Sequence, residues 1–251
     1  MRPTLVLWDI DYTLVQAGPV GRVLYEIVLA ELFGVGLPAG LASMAGRTDS
    51  SIATEVLTAA GLDAATELPR FHRQLAARAP ELSALVREHG VVLPGVRDAL
   101  AAVAAHRPGG PVVQSLLTGN IPALASVKLG ALGVTEHLDL QVGAYGDVSE
   151  IRADLVPVAR ENAAARYGAD FGGRATVLVG DTPHDVQAAR VTGARAVAVA
   201  TGRFSARQLA AAGADVVFAD LTATDEVVAA ILDGDRAAPK RPGHPVEASG
   251  D

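Results

Sequence analysis

Asp9 and Asp11 are the residues whose type and spacing most directly suggest chemistry. They stand two positions apart at the end of an apolar run in residues 4–15, TLVLWDIDYTLV. Thr4–Trp8 is rich in strand formers and has no polar alternation, the pattern of a strand covered on both faces in the middle of a parallel sheet. Ionised carboxylates at the end of such a strand are costly to desolvate unless a positive group neutralises them, and a divalent cation is the usual answer. The competing reading is a pair of N-cap or Asx-turn residues leading into a helix.

Two other apolar stretches end in groups suited to the same task. Residues 112–117 read as a strand closed by Thr118-Gly119-Asn120, and residues 175–179 as a strand closed by Gly180-Asp181, with Asp185 four residues on. Ligands of an open parallel sheet bind outside the carboxyl ends of its strands, so these groups are expected on one rim. Three carboxylates there suit Mg2+, a hard cation that takes oxygen ligands and keeps a substrate phosphate in its shell. A hydroxyl, an amide and backbone N–H groups freed by glycine suit phosphate oxygens.

The periodicity supplies the elements that must hold these groups. After residue 15, helical apolar spacing predicts helices over 23–33, 49–60, 68–79 and 81–89, with no comparable strand between them. An all-helical block directly behind the carboxylate strand reads as a separate cap domain over 16–90. Strands over 112–117, 137–142, 175–179, 196–200 and 216–218 then alternate with helices over 96–106, 121–132, 152–167, 186–192 and 206–212. This alternation predicts an α/β fold, a doubly wound parallel sheet with helices on both faces, built from 1–15 and 91–232. Residues 233–251 hold Pro, Gly and charge without periodicity and read as a disordered tail.

Composition narrows the function classes. A formal charge of −7 disfavours a nucleic acid as partner, since that surface needs clustered Lys and Arg, and points to a small phosphorylated metabolite instead. The chain has no cysteine, which removes disulfides, thiol nucleophiles and zinc–thiolate sites. There is no signal-peptide pattern and no apolar run of the roughly 18 to 20 residues a membrane span needs, so a cytoplasmic protein without a membrane partner is expected. Monomer and homodimer both remain open.

With these residues assembled, the chain resembles the haloacid dehalogenase superfamily. Its first motif, Asp-x-Asp-x-Thr, is matched by Asp9-Ile10-Asp11-Tyr12-Thr13, its second by Thr118, and its fourth by Gly180-Asp181 with Asp185. The resemblance implies a Rossmann-like core with a helical cap and a Mg2+-dependent, phosphoglycolate-phosphatase-like hydrolase of small phosphate monoesters. Asp9 is then the nucleophile that forms an aspartyl-phosphate, and Asp11 the acid/base. The metal ligands are Asp9, the Asp11 carbonyl and Asp181. Thr118, with Gly119 and Asn120, binds the phosphate, and Asp185 orients metal waters or a cation. A phosphomutase, or a silent binding member of the same superfamily, is the alternative.

The third motif departs from the pattern, because related enzymes place a Lys there. Arg152 is the best positional match and Lys128 the runner-up, the latter on a helix face expected to be solvated. Tyr12 stands where small residues are common, and it either narrows the entrance, touches substrate or packs under the cap. In the cap, Arg47 is a candidate for a substrate carboxylate or second phosphate, against the reading of Thr48 or Asp49 as an ordinary N-cap with Arg47 in solvent. His184 is placed at the entrance, and Trp8 in the core.

Overall fold

A computed structural model of the protein describes residues 3–41, 43–106 and 110–234. The expected tail lies outside them from residue 235 onward. Strand β1 (Thr4–Trp8) leads through a tight turn to β2 (Val15–Gln16). Helices α1 (Val20–Phe33), α2 (Asp49–Ala59), α3 (Ala64–Arg78) and α4 (Ser83–His89) follow, with a 3-10 turn at Ala79–Leu82, before β3 (Val91–Val92) closes an antiparallel ribbon with β2. Helix α3 starts four residues ahead of expectation because Asp63 caps it, accepting the Ala65 N–H at 3.2 Å.

Beyond the ribbon come α5 (Val96–Ala105), β4 (Val112–Leu116), α6 (Pro122–Leu132), α7 (Leu155–Tyr167), β5 (Thr176–Gly180), α8 (Pro183–Val191), β6 (Arg195–Val199), α9 (Ala206–Ala212), β7 (Val216–Phe218) and α10 (Thr224–Leu232). The five long strands form one parallel sheet in the order β4-β1-β5-β6-β7. The fold is therefore the expected α/β arrangement with helices on both faces.

The uninterrupted apolar run of β1 is explained by its central place. Leu5 and Leu7 pack on one side with Leu155 and Val156 of α7, Val186 of α8 and Leu209 of α9. Val6 and Trp8 pack on the other with Leu100 of α5 and Leu129 of α6. This second core continues into the helical insertion through Leu24, Val56 and Phe71. Trp8 is fully buried, as expected of a core residue, and its indole N–H donates to Gln114 Oε1 at 3.2 Å.

The strand expected over 137–142 does not form. The Asp139 N–H donates to Gln114 O at 2.8 Å and the Ala144 N–H to Leu116 O at 3.0 Å. Five residues of this segment thus span what two residues span in β4, so it must fold out into turns and leaves only a Leu117–Ala144 bridge. Its alternating apolar residues divide between the two cores, Leu138 and Leu140 with the α5 and α6 side and Val142 with the α7 side, without forming a ladder.

Candidate functional site

Trp8 is level with Leu116 on one side and Val179 on the other, so the ends of β1, β4 and β5 open at the same edge of the sheet. Asp9, the 118–120 turn and Asp181 emerge there. The Asp9 N–H still donates to Val179 O at 2.9 Å, which fixes the first carboxylate against β5. Carboxylate oxygens of Asp9, Asp181 and Asp185 lie within 4.8 Å of one another and all three residues are buried. Asp185 is held by the capping box of α8: its Oδ2 accepts from Thr182 N at 3.0 Å and Thr182 Oγ1 at 2.7 Å.

Arg152 opens a 3-10 turn (Arg152–Asp154) ahead of α7 and reaches back to this group. Its Nη2 lies 2.8 Å from Asp9 Oδ1 and 2.6 Å from Asp185 Oδ1, and donates to Leu117 O at 3.1 Å. Burial works against the charged guanidinium, but Asp185 and Asp9 outweigh it and hold it protonated. One cation among three buried acids is too little. Burial, with Asp185 and Asp11 nearby, pushes the Asp9 carboxyl up to about 6 even with Arg152 opposing. Burial, then Asp9 and Asp185, push Asp181 up to about 8. A hard cation among these oxygens removes that repulsion, so the donor set fits a divalent metal.

The second carboxylate of the pair faces another way. Lys128 Nζ contacts both Asp11 oxygens, at 2.7 and 2.6 Å, and donates to Asn120 Oδ1 at 2.7 Å. Asn120 Nδ2 donates to Asp11 Oδ2 at 2.8 Å and to Thr118 Oγ1 at 2.8 Å. Lys128 is 4% exposed, so the solvated face expected for it is a correction. The buried residues of α6 are Leu124, Ala125, Lys128 and Leu129. Position 128 falls on that stripe by the i, i+3, i+4 rule, and this was the signal that could have found it. Arg152 and Lys128 are therefore both present, on different carboxylates.

Asp9, Asp11, Asp181, Lys128 and Arg152 line a cavity of about 310 Å3 under the insertion, joined by Tyr12 and Arg47. That volume sits at the small end of ligand pockets. Thr118 is fully buried behind Asn120, whose N–H and side-chain amide both donate to its Oγ1. Gly119 and Asn120 form part of the cavity wall. The Arg47 guanidinium is turned back along α2, donating to Ser51 O at 3.0 Å and Ser51 Oγ at 2.8 Å and pairing with Glu55, while Thr48 is the N-cap. His184 is exposed and does not line the cavity.

Tyr12 has φ 60°, the left-handed region that glycine enters without strain and that residues with a Cβ rarely adopt. Its carbonyl accepts from Thr201 Oγ1. Gly202, beside Thr201, is a residue that motif reading missed: a Cβ there would lie 1.8 Å from Asp181 Oδ2. Only glycine leaves room for that carboxylate.

The HAD-hydrolase-like family model matches residues 152–224. Over 241 residues the chain is 32% identical to a plasmid phosphoglycolate phosphatase of Cupriavidus necator, covering 94% of this chain and 96% of that protein. The chain belongs to the haloacid dehalogenase superfamily. Solved structures share the fold of this superfamily member. A hydrolase from Pseudomonas syringae superposes with a TM-score of 0.60 at 19% identity, over 88% of this chain and 95% of that one. A predicted phosphoglycolate phosphatase from Haemophilus somnus does so with a TM-score of 0.61 at 19% identity, over 90% and 98%.

Proposed function

We propose that this member of the superfamily is a Mg2+-dependent phosphatase that hydrolyses a small phosphate monoester through an aspartyl-phosphate on Asp9. The observation that carries the reading is the division of the rim. One buried carboxylate, Asp9, stands beside two more acids and Arg152, and a second, Asp11, is paired with Lys128 across the same cavity. The 32% identity to a phosphoglycolate phosphatase along nearly the whole chain supports the same chemistry and a similarly small substrate.

Asp9 and Asp181 carboxylates with the Asp11 carbonyl would hold Mg2+, which supplies positive charge beside the transferring phosphoryl group when bound. An Asp9 oxygen attacks phosphorus and the bond to the leaving oxygen breaks. That oxygen takes its proton from the Asp11–Lys128 pair, and the same pair accepts one from the water that later cleaves the acyl phosphate. Arg152 holds Asp9 in position in this reading, with Asp185 anchoring the same guanidinium nitrogen. Gly119 and Asn120 on the cavity wall are the proposed phosphate contacts, joined by Thr118 once Asn120 turns away from its Oγ1, and the helical insertion over 16–90 is the proposed cap that shields the reaction from water.

No lysine occurs in 16–90, and neither His72 nor His89 of that segment lines the cavity. A His or Lys that could serve as the extra acid/base of a phosphomutase is therefore not brought to the cavity by the insertion among the described residues. The direct test is phosphate release from a panel containing 2-phosphoglycolate and sugar phosphates, with Mg2+ or with a chelator. Release is expected with Mg2+ alone, and metal-independent release, or none from any member, overturns the reading.

The raised carboxyls give a pH signature. Without metal, folded Asp9 and Asp181 bind protons more tightly than the unfolded chain, so the stability they contribute is present in full below about pH 4. It is lost as pH rises through about 6 for Asp9 and about 8 for Asp181. Mg2+ binds the deprotonated forms. Its stabilising shift in thermal unfolding is accordingly expected to be larger at about pH 8 than at about pH 5.5, and an equal shift at both would contradict this metal site.

A further inference from the structure

Asp49 is a buried carboxylate that the steps above leave unused. It is the first residue of α2 and 6% exposed. Tyr25, also buried, donates its OH to Asp49 Oδ1 at 3.0 Å and to Asp49 O at 3.1 Å. The other carboxylate oxygen leaves the insertion altogether: Oδ2 accepts the N–H of Ile121 at 2.8 Å.

Ile121 is the N-cap of α6, and the sequence of α6 explains why it needs help. Helices α8 and α9 close their own first turns, with Asp185 accepting from Thr182 N and Gln208 from Ser205 N. Helix α6 begins Ile121-Pro122-Ala123-Leu124, with no polar side chain in its first turn to take the N-cap N–H. Asp49 does from the insertion what Asp185 and Gln208 do within their own helices, and it places a carboxylate at the positive end of the α6 dipole. The approach is close. Asp49 N donates to Gly119 O at 2.6 Å and Ser50 N to Gly146 O at 2.8 Å. A Cβ on Gly119 would lie 1.9 Å from Arg47 O, and one on Gly146 would lie 1.7 Å from Gly119 O, so both positions must be glycine for these strands of chain to meet.

Asn120 directly precedes the capped N–H, and Lys128 lies two turns along the capped helix. These are the two residues that grip Asp11. We infer that Asp49, seated by Tyr25, is a positioning residue for the acid/base: by capping α6 from the insertion it sets Asn120 and Lys128, and through them the direction of the Asp11 carboxylate. This rests on the phosphatase reading above.

A residue that only stabilises the fold affects all substrates alike, whereas one that aims the proton donor matters in proportion to how much the leaving group needs a proton. Steady-state kinetics of Asp49→Ala, Asp49→Asn and Tyr25→Phe should be compared on two probes. One is the alkyl phosphate turned over fastest in the panel, starting with 2-phosphoglycolate. The other is p-nitrophenyl phosphate, whose phenolate departs without a proton. On the alkyl ester, Asp49→Ala is expected to lower kcat/KM, which reports the steps through formation of the aspartyl-phosphate and not its hydrolysis, about 10- to 100-fold, and on the aryl ester less than about 3-fold. Asp49→Asn, which keeps an acceptor for Ile121, should fall between it and wild type. Equal losses on both esters, or no loss on the alkyl ester, overturn the inference. If Asp49→Ala does not fold, Asp49→Asn and Tyr25→Phe carry the same comparison. Wild-type protein that releases phosphate from neither ester sinks the phosphatase reading itself, and the inference falls with it.

Discussion

Asp9→Asn is expected to reduce phosphate release by at least about a thousandfold while leaving the fold as stable as before. The two halves of this expectation have different causes. The amide keeps the shape of the side chain but has no anionic oxygen to attack phosphorus, and the other rim acids have their own tasks: Asp11 is held by Lys128 and Asn120, Asp185 by Thr182 and Arg152, and Asp181 is the proposed metal ligand. Stability is retained because burial already pushes the Asp9 carboxyl up to about 6, so its ionised form is unfavourable in the folded state near neutral pH. Removing that charge also relieves Asp181, for which Asp9 is the second cause of its upward shift. Arg152 keeps Asp185 as a partner. Phosphate release from the best panel substrate, with thermal unfolding of the same samples, checks both halves. Activity within about tenfold of wild type excludes Asp9 as the nucleophile.

The sheet was legible because its signals are local. Thr4–Trp8 is apolar throughout since Leu5 and Leu7 serve one core and Val6 and Trp8 the other, and that pattern survives without knowledge of the partners. The acids at strand ends were legible for the same reason: each sits where a short run stops. The 137–142 segment misled because alternation records which residues drop onto a neighbour and not whether the backbone keeps step with it; the register of five residues against two is a property of the pair. The β2–β3 ribbon, two residues a side, and α10 were too short or too weakly marked to stand out. In the site, sequence named the residues but not their partners. Lys128 looked solvated because a lone charge on an Ala- and Leu-rich helix usually is, and only the distant Asp11 makes its burial affordable. Asp49 looked like a local cap. It is a cap, but of a helix about 70 residues further along the chain.

Arg152→Met is expected to destabilise the metal-free protein by about 3–5 kcal/mol, the usual result of removing one partner from a buried ionic group. Arg152 Nη2 faces both Asp9 and Asp185, and with methionine there the three acids confront each other with no compensating charge among them. The carboxyls must then rise further. Because the folded state will hold their protons more tightly than the unfolded chain does, the loss should be greatest at about pH 8 and shrink as pH falls toward about 4, where both states are protonated. Mg2+ should recover part of it at about pH 8 by taking the place of the guanidinium charge. Arg152→Lys is the more informative variant. Asp9, Asp185 and the Leu117 carbonyl all meet Arg152 at one nitrogen, Nη2, and a lysine keeps the charge but ends one bond short of that atom and has no second nitrogen to reach Gly46 O. It also deletes Nε, a buried N–H that has no partner among the described residues, so part of its cost is offset. Lysine should therefore be much less destabilising than methionine, yet still lower kcat because Asp9 is less firmly held. Urea unfolding at about pH 5.5 and about pH 8, with chelator and with Mg2+, separates these effects. If Arg152→Met unfolds at the wild-type urea concentration at about pH 8 in chelator, the guanidinium is not what allows three acids to share this rim.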